Sequence, residues 1–203
     1  MKMAKKFLAV ALAGVLALSV LTGCGAGVKS KDVADALNKM HVSVKQDDGV
    51  DKIAKSTLAA IEAIVNESAN AAKPDTDTSK ITLDNAVADA GKVIKTGGFQ
   101  TADAENKVQK ALGMMSTGSD AEKANDGKKV QVALVKTEDA TKDASLQAYF
   151  VKNGLVTASA AAVTSGADKK VVEPGKLGTA KTSDGKYMLV VIVNDVKTTE
   201  SAS

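Results

Sequence analysis

The 203-residue chain has no tryptophan and no arginine, one cysteine, one histidine, two prolines, two tyrosines and three phenylalanines. Each shortage excludes something. Without arginine there are no planar guanidinium forks to grip phosphate or carboxylate in a bidentate way. A lone cysteine cannot close an internal disulfide, and it falls short of the roughly four ligands of a structural zinc site. With so few aromatic rings, stacking platforms for bases or sugars are sparse. The core must therefore be built from Ala, Val, Leu, Ile and Met. The net charge of +3 is accounted for by Lys2, Lys5 and Lys6, so the remainder of the chain is neutral. Nucleic acid needs a basic face and is excluded as a partner.

The single cysteine has an informative setting. The three N-terminal lysines precede "FLAVALAGVLALSVL", residues 7–21, which is shorter than the roughly 20 residues of a spanning helix. The small residues of "TGC" then end the run at Cys24. Basic segment, short apolar segment and small residues before cysteine resemble the lipobox of bacterial lipoproteins. That resemblance implies removal of residues 1–23 and attachment of lipid, including palmitate-type acyl chains, to the sulfur of Cys24. Several acyl chains anchor firmly, at about 0.8 kcal/mol per buried CH2. The expected location is the extracytoplasmic face of a bacterial cell membrane. The alternative is an ordinary secretory signal with an incidental cysteine.

The mature chain divides into a tether with a short helix at 24–49, one domain at 50–196 and a disordered tail at 197–203. Within "DVADALNKMHVSVK", Val33, Leu37, Met40 and Val44 recur at spacings of 4, 3 and 4 and predict a short helix. The span 50–72 predicts a longer one, with Val50, Ile53, Leu58, Ile61, Ile64 and Val65 as its apolar stripe and Pro74 beyond its end. Thr82 or Asp84 is placed to cap a third helix, and residues 102–115 suit a fourth. At "KVQVALVKT", 129–137, the period changes to two, with Val130, Val132 and Leu134 on one side of a strand. Residues 143–152 predict a helix, and the Ala-rich span after it reads equally as helix or loop. Asp184-Gly185 separates an extended run at 177–182 from "KYMLVVIV", which together signal a hairpin. The near-continuous apolar run predicts a strand buried on both faces. The fold class is α+β: four to five helices packed on a small, mainly antiparallel, three-stranded sheet.

Three strings resemble the bacterial form of the CAP family, the cysteine-rich secretory, antigen 5 and pathogenesis-related proteins. They are "IVNESANAA" at 64–72, "ITLDNAVADAGKVIKTGGF" at 81–99 and "GTAKTSDGKYMLVVIV" at 178–193. In the first, Asn66 matches the family pattern, whereas Ala69 or a neighbour stands where arginine is usual. The resemblance spans about residues 50–195 and implies an α-β-α sandwich with extracellular binding roles. It does not bring the family's acid–base residues. Thr101 stands near the position of the first family histidine, Gln131 near the glutamate and Leu155 near the second histidine. These three residues are the candidate vestigial cleft.

Other chemistry finds little footing. His41 sits in "KMHVS" on the predicted first helix, where a structural role is favoured over catalysis. The loop carboxylates at 47–48 and 75–77 lack calcium-loop spacing, and no His/Asp/Glu set has metal-ligand spacing. There is neither a G-x-S-x-G string nor a phosphate loop. For Tyr149 and Phe150, packing of their helix onto the sheet is favoured over lining a groove, and for Met114-Met115 a place in the core is favoured over a binding surface. No catalytic residue, cofactor or metal site is assigned. The expected function is non-catalytic binding of envelope material, a lipid-like ligand or another protein. The alternatives are a hydrolase working with two carboxylates alone and a structural envelope lipoprotein without ligand.

Overall fold

A computed structural model describes residues 28–70, 82–88, 102–113, 128–137, 143–158 and 169–198. The first helix, α1 (Ser30–Lys39), begins where the Asp32 carboxylate accepts the Lys29 backbone N–H at 2.9 Å. An acidic residue in the first turn and Lys39 in the last both suit the helix dipole. It ends through a Schellman arrangement. The Val42 N–H reaches the Leu37 carbonyl, the His41 N–H reaches that of Asn38, and His41 takes a φ of 64°. This left-handed residue stops the helix, so Val44 does not continue the expected stripe. It enters β1 (Val44–Gln46) instead, where the Asn38 side chain bonds both its N–H and its carbonyl, at 3.0 and 2.8 Å.

The long helix α2 (Asp48–Asn70) is capped by Asp47, whose carboxylate accepts the Val50 N–H at 3.0 Å. Shorter helices follow at α3 (Leu83–Ala88) and α4 (Ala102–Ala111). Strand β2 (Lys128–Lys136) precedes α5 (Ala144–Gly154), whose cap Asp143 accepts from the N–H groups of Ser145 and Leu146. The remaining strands are β3 (Val156–Thr157), β4 (Lys169–Val171), β5 (Gly175–Lys181) and β6 (Tyr187–Thr198).

The structure is mixed α+β, but its sheet has six strands rather than the expected three. The path runs β1-β5-β6-β2-β3, with β4 paired to the far end of β6. Only β1 and β5 are parallel; the other pairs are antiparallel. The three additional strands, β1, β3 and β4, are two or three residues long. Segments that short carry no readable period, and their extended form comes from the partner strand. Strand β6 reaches Thr198, so Lys197 and Thr198 pair with Lys170 and Lys169 in a stretch expected to be tail.

Strand β6 explains the layering. Met188, Leu189, Val190, Val191 and Ile192 are each at most 1% exposed. Alternate side chains point to opposite faces. Leu189 and Val191 join a core with Val50, Ala54, Leu58, Ile61 and Ile64 of α2, and with Val130, Val132 and Leu134 of β2. Met188, Val190 and Ile192 join a second core with Val33 and Leu37 of α1 and Ala148 and Val151 of α5. The sheet is thus covered on both faces, by α2, α3 and α4 on one side and by α1 and α5 on the other. Each fully buried aliphatic side chain stabilises by about 1.5–3 kcal/mol relative to exposure.

Candidate functional site

Among the residues expected to matter, Gln131 lies in the middle of β2, half-buried, opposite Thr157 of β3 and Ile192 of β6. It shares strand parity with Ala133 and Val135, which belong to the core beneath α1 and α5. Leu155 follows α5 and packs against that same core. Gln131 and Leu155 therefore occupy one face of the sheet. Thr101 and Cys24 lie outside the described residues. His41 is the residue that ends α1, a structural position that needs a left-handed backbone.

A polar group gathers where the β5–β6 hairpin turns. Gly185, at a φ of 71°, supplies the tight bend, and Asp184 accepts from the Thr182 hydroxyl and, at 3.0 Å, from the Lys186 N–H. These bonds hold the Asp184 carboxyl below the usual carboxylate range, with the Thr182 hydroxyl the larger cause. Glu62 of α2 is pushed the other way, first by burial and then by the negative charge of Asp184. Nearby, Asp84 of α3 is held low by hydrogen bonds from the side chains of Tyr187 and Lys136, the latter at 3.3 Å. Burial lowers the Lys181 ammonium. Carboxylates driven in opposite directions are the pattern by which acid and base roles are divided.

A second polar junction ties the layers together. Asp51 of α2 accepts from the Ser30 hydroxyl and the Thr179 N–H, each at 2.8 Å, and from the Gln46 amide at 2.9 Å. Gly178 permits this closeness: a Cβ there would stand 2.2 Å from the backbone N of Asp51 and C of Val50. Every group of this junction is spent on another part of the chain, so its role is architectural.

Among the described residues, the most unusual surface lies on α5. Tyr149 is 55% exposed, Phe150 40% and Leu146 36%, contrary to the expected packing of the two rings onto the sheet. The spacings of three and four residues put all three on one side of the helix. The rings of Tyr149 and Phe150 meet edge to face with centroids 5.9 Å apart. The sheet-facing side of α5 instead uses Gln147, Ala148 and Val151, all fully buried. The physical reason is room. Ala144, Ala148, Val151 and Leu155 recur at spacings of 4, 3 and 4 and form the side of α5 that packs into the second core. That stripe, with alanine at two of its four positions, is the readable signal that Tyr149 and Phe150 turn outward.

Among the described residues, no group of three or more His, Cys, Asp or Glu side chains is placed to hold a metal ion, and no helix is long and apolar enough to cross a membrane. The fold and its surfaces define a three-layer α+β domain. No family model matches the chain, and comparisons with curated proteins and with solved structures returned no match.

Proposed function

We infer that the chain is a bacterial lipoprotein, held at the extracytoplasmic face of the membrane through lipid on Cys24, whose α+β domain binds rather than catalyses. The observation that carries the binding reading is the exposed Leu146, Tyr149 and Phe150 group on α5. A chain with five aromatic residues in all has left two of them side by side on its surface. Contiguous exposed apolar side chains of this kind mark interaction sites. The finer reading is a degenerate CAP-like domain. It is supported by a sheet lying between two helical layers. It is also supported by the positions of the similar strings, with residues 178–193 in the β5–β6 hairpin and 64–70 in α2.

The test has two parts. Mass spectrometry of the N-terminal peptide should find diacylglycerol on Cys24, and Cys24→Ser should release the protein from membranes. The purified protein should leave ester, peptide and glycan substrates intact; turnover of any of them overturns the non-catalytic reading. The opposed shifts of Glu62 and Asp184 favour a second reading, a hydrolase using carboxylates alone. That reading requires a turnover that Glu62→Gln abolishes.

A further inference from the structure

We propose that the exposed face of α5 docks on the bilayer that holds the protein's own lipid anchor, so that the domain lies against the membrane through its α1/α5 layer. The proposal rests on the lipoprotein reading of Cys24. The argument is one of reach and side. Four residue steps separate Cys24 from Val28, a span of at most about 14 Å when fully extended. Val28 packs against the core beneath α1 and α5, so the chain enters the fold on that side of the sheet. The first element it forms is α1, about 15 Å long. Helix α5 packs directly on α1, and the Lys152 ammonium donates to the Met40 carbonyl at 3.0 Å, joining the last turns of the two helices. A short tether thus brings one helical layer to the lipid surface, and that same layer carries Leu146, Tyr149 and Phe150. The first turn of α2 meets α1 at the sheet edge through Asp51 and Ser30, whereas the apolar side of α2 packs on the opposite face of the sheet from Leu146, Tyr149 and Phe150.

The residue chemistry suits this occupant. Tyr149 has an apolar ring with one polar end, and Phe150 and Leu146 are wholly apolar neighbours; such a set suits the boundary between headgroups and acyl chains. The charge of the layer does not drive the docking. Exposed Lys29, Lys31, Lys39 and Lys152 are nearly matched by exposed Asp32, Asp35 and Asp143. Docking should therefore depend little on salt or on anionic lipid, in contrast to a polybasic surface.

The chain contains no tryptophan, so one introduced indole reports alone. The experiment uses the full lipidated protein, purified from membranes and reconstituted in phosphatidylcholine vesicles with or without brominated acyl chains. Phe150→Trp is compared with Lys55→Trp, which is exposed on α2 across the sheet. The expected result is a blue-shifted emission for Phe150→Trp and roughly twofold quenching by the brominated lipid, as for a side chain at acyl-boundary depth. Lys55→Trp should show neither. Equal quenching at the two positions overturns the proposal. A blue shift without bromine quenching also overturns it and assigns the face to a second copy or another protein. The mass of the N-terminal peptide is read on the same sample. Acylated Cys24 without quenching sinks the docking alone, whereas an unmodified Cys24 sinks the lipoprotein reading and the docking with it.

Discussion

Helices α2 and α5 cover opposite faces of one sheet and use their apolar residues in opposite ways. In α2, Val50, Leu58, Ile61 and Ile64 all point at the sheet and are buried. In α5, Ala148 and Val151 point at the sheet, while Leu146, Tyr149 and Phe150 face outward. The difference teaches that size and hydrophobicity do not by themselves assign a residue to the core. Large residues on α2 fill the depth beneath a long helix. On α5 the sheet-facing positions go to smaller residues, Ala148 and Val151, and the large ones face solvent.

The comparison can be broken most severely where α2 touches the sheet. Gly178→Ala would drive a methyl group into the α2 backbone at Val50 and Asp51, neither of which can yield as a flexible side chain would. The expected destabilisation is about 4 kcal/mol or more. Chemical denaturation should show a large fall in midpoint or no folded baseline.

Next in size is a pair of truncations that sharpens the contrast between the layers. Ile61→Ala, at a fully buried site on α2, should cost about 2–5 kcal/mol. Phe150→Ala removes a larger side chain from α5, yet it should cost only about 1 kcal/mol because the ring is 40% exposed. Equal losses in thermal unfolding would contradict the outward assignment of the ring.

A smaller effect carries a definite sign with pH. The Glu62 carboxyl is raised above its ordinary 4.5 by burial and by Asp184, so folding favours its protonated form. Its contribution to stability is full below the unfolded value near 4.5 and is lost as pH rises through the higher folded value. Glu62→Gln should therefore raise the unfolding temperature at pH 7, and the gain should vanish below about pH 4. An unchanged difference across that range would show that Glu62 does not carry the effect. Asp184 has the opposite linkage: its depressed carboxyl stabilises above 3.8 and loses that contribution as pH falls.

The smallest expected change is at the end of α1. His41→Gly should stabilise by roughly 0.5–1 kcal/mol, because glycine adopts the left-handed conformation without the Cβ penalty. Denaturant midpoints of the two proteins would decide it. A loss of stability would mean that the imidazole does more than end the helix.

Much of the secondary structure was legible because its signals are local. The alternation of Val130, Val132 and Leu134 corresponds to one face of β2, and Asp184-Gly185 marks the turn before β6. At Val44 the 4-3-4 spacing continues numerically past a helix end that the backbone of His41 sets. Aromatic residues generally favour the core, yet Tyr149 and Phe150 turn outward. The competing Ala144, Ala148, Val151 and Leu155 stripe in the same segment is the one the sheet accepted. The opposed carboxyls of Glu62 and Asp184 lie more than a hundred residues apart in sequence and had no local signature.

By itself the sequence determined where the main helices and strands form and that the core is aliphatic. Those properties depend on periods of two and 3.6 and on short-range turn chemistry, which neighbouring residues carry. Only the tertiary structure decided the six-stranded order, the parallel pairing of β1 with β5, and which side of α5 faces water. These depend on which distant segments meet and on how closely their backbones approach. The gap left for Gly178 and the room for small residues under α5 exist only once the layers are assembled.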